Sequence, residues 1–177
     1  MDPYTGSIVA MAAAPTFDLN KYGAVKDPNL YTNPFVQHRY EMGSIVKPLV
    51  MAGALDVGAI TPTTTYTDKG FVTIDGKTLN NFDKKGRGAN VSMQEVLNQS
   101  LNTGMIFVEQ KMGKTVFKDY LVTRYKLGDK TGIDLPGEVN GSVGSLKDAN
   151  DINYAAASFG QGIATSPINI VRAFATL

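Results

Sequence analysis

Residues 40–50, YEMGSIVKPLV, restrict what this chain can fold into more than any other stretch. If a helix starts near Ser44, its first turn carries partial positive charge, which suits Asp or Glu and not Lys47. A serine cap prefers Glu or Gln three residues on, and here that position is Lys47. Pro48 pushes the residue before it out of the helical region. Three local rules bend within five residues, and such violations cluster at functional sites. The segment 92–95, Ser-Met-Gln-Glu, is the internal control. It has the ordinary capping-box pattern, opens a helix over 92–99, and shows what a purely structural serine looks like.

Ser44 and Lys47 are spaced i, i+3, which on a helix places both side chains on one face, close enough to meet. A serine hydroxyl needs a base to become a nucleophile. A lysine amine serves if burial or a neighbouring cation keeps it neutral, and Ile45, Val46, Leu49, Val50 and Met51 make the surroundings apolar. The helix start also offers backbone N–H groups for an oxyanion. Taken alone, the spacing is common enough for composition to produce it by chance. A second short segment, LNQSLNTG at 97–104, carries Ser100 and Asn102 at i, i+2. In an extended segment both side chains point the same way and could contact a substrate and relay a proton. The plainer reading is a helix junction with Asn102 as its cap.

The 177 residues suffice for one domain with a real core. Hydrophobic residues make up 43% and charged residues 19%, the balance of a folded globule. A net charge of +1 provides no basic footprint for nucleic acid. The chain has no cysteine and one histidine, His38, which excludes disulfides, thiolate chemistry and His-rich metal sites. No cofactor or metal is expected. No apolar run reaches membrane-span length, and Met1-Asp2-Pro3 does not begin a signal peptide. Gly113-Lys114-Thr115 lacks the upstream glycine of a phosphate-binding loop, because position 108 is valine.

Periodicity and punctuation predict a strand over 6–12 and an irregular surface segment over 13–40. A helix is expected over 44–56, and a hairpin over 71–80 turning at Asp75-Gly76. Residues 84–88 read as a polar loop. Helices follow over 103–112 and 114–126, split at Gly113, and over 151–158. Residues 133–147 read as loop with one short strand. A last helix opens at Thr165-Ser166-Pro167. The sequence stops inside that apolar pattern at Leu177, which reads as a cut.

These two motifs in this order resemble the transpeptidase domain of penicillin-binding proteins, for which Ser-x-x-Lys and Lys-Thr-Gly are signature elements. The opening DPYTGSIVAMAAAPTFDLN, YEMGSIVKP, the SLN segment, GDKTGIDLPGE and NYAAASFGQGIATSPINIVRAFATL are similar to the monofunctional, class B members. The likeness spans nearly the whole chain. The family more often has Pro in place of Met42 and Thr in place of Ile45. The resemblance implies an α+β, penicillin-binding/serine β-lactamase-like fold, mostly its helical part plus an incomplete antiparallel sheet. Residues 1–177 would be a partial transpeptidase domain. It further implies that Ser44 attacks the penultimate D-alanine carbonyl of a peptidoglycan stem peptide. Lys47 would take the serine's proton, Ser100 would pass a proton to the leaving amine, and Asn102 would hold Lys47 and the substrate amide. β-Lactam antibiotics would acylate the same serine. The parent protein would be membrane-anchored and act on the periplasmic face of the membrane.

Lys130-Thr131-Gly132 matches the family's third motif by letter only. It follows directly on the helix ending at Gly128 and precedes Ile-Asp-Leu-Pro-Gly, which leaves no room for a central strand. The true motif is expected beyond Leu177. Without it, half the oxyanion hole and a cation that depresses the Lys47 pKa would be lacking. The fragment is then expected to acylate poorly and, with a sheet edge uncovered, to self-associate. Two other readings remain at this stage. One is a serine β-lactamase of the same fold; the other is a non-catalytic β-lactam-sensing module.

Overall fold

Two helices build the centre of the molecule. α2 (Lys47–Asp56) and α4 (Asn102–Met112) pack Leu49, Val50 and Ala54 against Met105, Ile106 and Val108, all essentially solvent-free. The computed structural model describes residues 1–177. Around this pair run α1 (Pro34–Gln37), α3 (Met93–Asn98), α5 (Lys114–Lys118, continued as a π-helical turn over Asp119–Arg124), α6 (Asp151–Ala157) and α7 (Pro167–Phe174). One contiguous core joins all of these but α1, which packs on α7, and runs from Val46 through Phe117, Leu121 and Tyr154 to Ala173. Two of its buried hydroxyls find carbonyls: Tyr125 Oη donates to Leu49 O and Tyr154 Oη to Leu146 O, each at 2.9 Å.

The β content is small and antiparallel. β1 (Thr65–Asp68) pairs with β4 (Gly88–Ser92), with a bulge between Tyr66 and Asp68. β2 (Phe71–Ile74) and β3 (Lys77–Asn80) form the hairpin that the sequence predicts. Its turn residues Asp75 and Gly76 both have positive φ, 49° and 75°, as a type I′ turn demands. The fold class is therefore α+β, as expected.

Several boundaries follow their local chemistry. Ser92 Oγ accepts from Glu95 N at the start of α3, and Ser166 Oγ accepts from Asn169 N at the start of α7. The capping box is only half made, because the Glu95 carboxylate turns to Asn98 Nδ2 and Gln99 Nε2. The strand expected over 6–12 does not form. A strand needs a ladder partner, and no segment of the chain pairs with this one in a ladder. Ile8 and Val9 stay exposed, and the segment flanks an open apolar groove of about 310 Å³ against Phe35, Ile168 and Val171. The short strand expected within 133–147 shrinks to a single bridge, Ser142 to Ala164.

α3 and α4 cross at Gly104. A Cβ there would lie 2.4 Å and 2.7 Å from the two Val96 methyls and 3.1 Å from Tyr66 Oη. Alanine is the better helix former by about 1 kcal/mol, but overpacking at such a crossing costs about 1–3 kcal/mol. Gly104→Ala should lower the free energy of urea unfolding despite its propensity gain. A variant as stable as the parent would mean that the α3–α4 junction has slack.

Candidate active site

Ser44 sits in a 3-10 turn, Gly43–Val46, that runs directly into α2. Its hydroxyl caps nothing and takes part in no hydrogen bond, unlike those of Ser92 and Ser166. The residue is exposed. Its backbone N–H lies in the first turn, where donors have no intrahelical acceptor. The turn is pinned from the far end of the chain. Gly43 N donates to Gly160 O at 3.1 Å, Gly162 N to Glu41 Oε1 at 3.1 Å, and Tyr40 and Thr165 exchange two backbone bonds of 3.0 Å. Gly160 has φ of 81°, and a Cβ on it would stand 2.2 Å from Gly43 O. Only glycine permits that approach.

Lys47 is the first residue of α2 and keeps helical angles, φ −56° and ψ −44°, in front of Pro48. The proline rule does bend here. The side chain is only 2% exposed. Its ammonium donates three hydrogen bonds: to Ser100 O at 2.6 Å, Asn102 Oδ1 at 2.8 Å and Ser100 Oγ at 3.0 Å. Burial pulls its pKa down from the ordinary lysine value to about 8.

Ser100 and Asn102 converge on Lys47 without the extended segment the i, i+2 spacing suggests. Ser100 N donates to Leu97 O and Leu101 N to Val96 O, the bond pair of a Schellman motif that closes α3. Ser100 holds the left-handed position of that motif, φ 53°, where glycine is the usual occupant. Asn102 is the first residue of α4 and not its cap; Leu101 is the N-cap and makes no side-chain bond. The Asn102 amide spans two partners, accepting from Lys47 Nζ and donating to Asn80 O at 2.9 Å.

Of the four sequence-predicted residues, Lys47, Ser100 and Asn102 are therefore joined directly. Ser44 is joined to them through the chain, three residues before Lys47. The expected side-chain bond between Ser44 and Lys47 is not made. An ammonium buried to this degree requires three acceptors, and a carbonyl, an amide oxygen and a hydroxyl already supply them. Sequence reasoning missed Glu41, Asn80 and Gly160. Only the Phe-Gly-Gln-Gly punctuation around Gly160 hinted at a special backbone position. The Lys130-Thr131-Gly132 stretch is irregular loop, where Thr131 N, Thr131 Oγ1 and Gly132 N wrap the Glu138 carboxylate at 2.6–3.0 Å. It is not on a strand, as its rejection as a motif requires.

Two outcomes check this geometry. The 13Cε resonance of Lys47 should titrate near pH 8; a midpoint near 10.5 would contradict the buried placement. The folded chain releases this proton near pH 8 and the unfolded chain near 10.5. Between those values the unfolded state binds more protons, so the Lys47 contribution to stability rises with pH. Ser100→Gly should leave unfolding free energy within about 1 kcal/mol of the parent, because relief of the left-handed serine offsets the added unfolded-chain entropy. It should still shift the Lys47 resonance, because one of three acceptors is gone. A large loss of stability would mean that the hydroxyl serves the fold and not the lysine.

Comparison with known proteins identifies the family and the fold. The family model for the penicillin binding protein transpeptidase domain matches residues 1–177. Stage V sporulation protein D of Bacillus subtilis is 34% identical over 98% of this chain, and a peptidoglycan D,D-transpeptidase FtsI homolog of Mesostigma viride is 30% identical over all of it. The chain spans only 27% and 31% of the length of those two relatives. The crystal structure of a candidate peptidoglycan glycosyltransferase from Atopobium parvulum superposes with a TM-score of 0.86 at 28% identity, covering 99% of this chain and 40% of that one. With its serine, buried lysine and Ser-x-Asn segment on one such frame, the chain belongs to the penicillin-binding protein transpeptidase domain family.

Proposed function

We propose that this chain carries the acylation machinery of a peptidoglycan D,D-transpeptidase. The observation that carries the reading is the buried Lys47, held by Ser100 and Asn102 and one helical turn from the unpartnered hydroxyl of Ser44. Ser44 Oγ attacks the penultimate D-alanine carbonyl carbon of a stem peptide while its proton passes to neutral Lys47. The Ser44 N–H donates to the oxyanion that develops. Collapse breaks the peptide bond: Ser100 gives its hydroxyl proton to the departing D-alanine amine and takes the proton held by Lys47, 3.0 Å away, which returns Lys47 to the free amine. A second stem peptide's amine then attacks the ester, forms the cross-link and returns Ser44 as a hydroxyl. A β-lactam follows the first half only, because its leaving amine stays tethered by the opened ring. The substrate places the parent protein's work on the outer face of the cytoplasmic membrane, with an anchor in that parent.

The depression of the Lys47 pKa comes from burial alone. With a pKa of about 8, about one lysine in ten is the free amine at pH 7. Lys47 is thus a modest base unless a cation is brought beside it, so acylation by these 177 residues alone should be slow at neutral pH.

The test is the intact mass of the protein carrying this chain after incubation with benzylpenicillin, at pH 6 to 9. One adduct per chain is expected, absent in Ser44→Ala, forming faster as pH rises through about 8. An adduct that persists in Ser44→Ala, or a rate that ignores pH across this range, would overturn the assignment of nucleophile or base. Rapid release of the adduct by water would favour a β-lactamase instead.

A further inference from the structure

Asp68 ends β1 just past the bulge and is 1% exposed. No salt bridge reaches it; the Arg87 guanidinium turns to Asp83 and Gln99. Four neutral donors do: Gly70 N at 2.8 Å, Arg87 N at 3.1 Å, Thr103 Oγ1 at 2.8 Å, and Asn81 Nδ2 at 3.1 and 3.0 Å to the two oxygens. A glycine pair makes this crowding possible. A Cβ on Gly70 would lie 2.6 Å from Gly86 N, and one on Gly86 would lie 2.7 Å from Asp68 O.

The carboxylate accepts only, and that dictates the hydrogens around it. Thr103 has one hydroxyl proton and two acceptors in reach, Asp68 Oδ1 at 2.8 Å and Asn81 Oδ1 at 3.1 Å; the nearer, charged carboxylate takes it, so Tyr66 Oη donates to Thr103 Oγ1 at 3.1 Å. Asn81 must turn its NH2 toward Asp68, where it also reaches Lys85 O. Its Oδ1 is then forced to face Thr103 N, at 3.1 Å. The neighbouring residue Asn80 supplies the carbonyl that holds the Asn102 amide at 2.9 Å. Two consecutive residues, Asn80 and Asn81, thus clamp two consecutive residues at the head of α4, Asn102 and Thr103.

We propose that Asp68 is a positioning residue for Asn102: by fixing the orientation of the Asn81 amide it sets the clamp on α4 and so the oxygen to which Lys47 Nζ donates. The carboxylate stands outside the reacting groups and acts through Asn81 and Thr103. An amide in its place would put an NH2 against Gly70 N, Arg87 N or Asn81 Nδ2, all of which are donors, and would leave the Asn81 orientation to Lys85 O and Thr103 alone. The link from Asn102 to acylation rests on the function proposed above; the link from Asp68 to Asn102 does not.

The experiment separates the two. In the protein carrying this chain, Asp68→Asn and the isosteric Thr103→Val should each move the Lys47 titration midpoint by at least half a pH unit and shift the Asn102 side-chain NH2 resonances. Each should slow benzylpenicillin acylation of Ser44 at least tenfold. Thr103→Ser keeps the hydroxyl and should restore both properties. If Asp68→Asn does not fold, the Thr103 pair decides alone. An unchanged Lys47 midpoint and unchanged Asn102 resonances in folded Asp68→Asn or Thr103→Val overturn the proposal, as does a Thr103→Ser variant as impaired as Thr103→Val. If the parent forms no Ser44 adduct, the functional reading fails while the resonances still judge Asp68.

Discussion

A lysine ammonium taken out of water is the constraint on which the rest of this structure depends. Desolvating such a group costs several kcal/mol unless its protons find acceptors. Lys47 finds them on residues 53 and 55 positions away in sequence. α2 therefore needs the α3–α4 junction at its N-terminus, and that junction must present a free carbonyl, a hydroxyl and an amide oxygen at one point. The local violations in 43–48 make sense in this light. The positive end of the helix and the proline both oppose Lys47, and only a distant set of acceptors outweighs them. The left-handed Ser100 is the matching strain on the other side, since glycine would close the same Schellman motif without steric penalty.

The same tertiary dependence explains what was legible in the sequence. Ser92, Ser166 and the Asp75-Gly76 turn satisfy their bonds within a few residues, so their local pattern named their structure. Ser44 and Lys47 were legible for the opposite reason: they break the local pattern. Ser100 and Asn102 do contact Lys47, but not through the extended segment their spacing suggested, because no propensity rule puts a serine in the left-handed region. The segment 6–12 has the composition of a strand, yet strand formation is a property of two segments, and its composition says nothing of the second. Asp68 and Asn81 left no trace beyond an Asp-x-Gly turn. Their side-chain partners lie 13 to 35 residues away, and a buried carboxylate surrounded by neutral donors looks in sequence like any surface aspartate.

On the proposed function, the contrast in exposure between Ser44 and Lys47 follows from what each would do. A nucleophile must be reached by its substrate, and Ser44 is exposed with an unpaired hydroxyl. A base must be dry enough to lose its proton near neutrality, and Lys47 is 2% exposed. Putting both functions into one helical turn works only if the chain reverses from surface to core within three residues. The 3-10 turn at Gly43–Val46 does this, and the backbone bonds from residues 160–165 hold it there.

The three bonds of Lys47 also say which partner takes part when the proton moves. As an ammonium, Lys47 spends one proton on each acceptor. As a free amine it has two N–H groups and a lone pair, so until it takes the Ser44 proton it keeps all three contacts only if one of them becomes a donor. The Ser100 carbonyl has no hydrogen to give. The Asn102 amide has its NH2 engaged by Asn80 O, so it keeps its oxygen toward Lys47. The Ser100 hydroxyl alone can reverse, accepting from the ammonium and donating to the amine. Loss of the Lys47 proton and rotation of the Ser100 hydroxyl are thus two halves of one change. That accounts for a serine, and not the glycine the backbone favours, at φ 53°: the position needs a side chain that can both give and take a hydrogen bond.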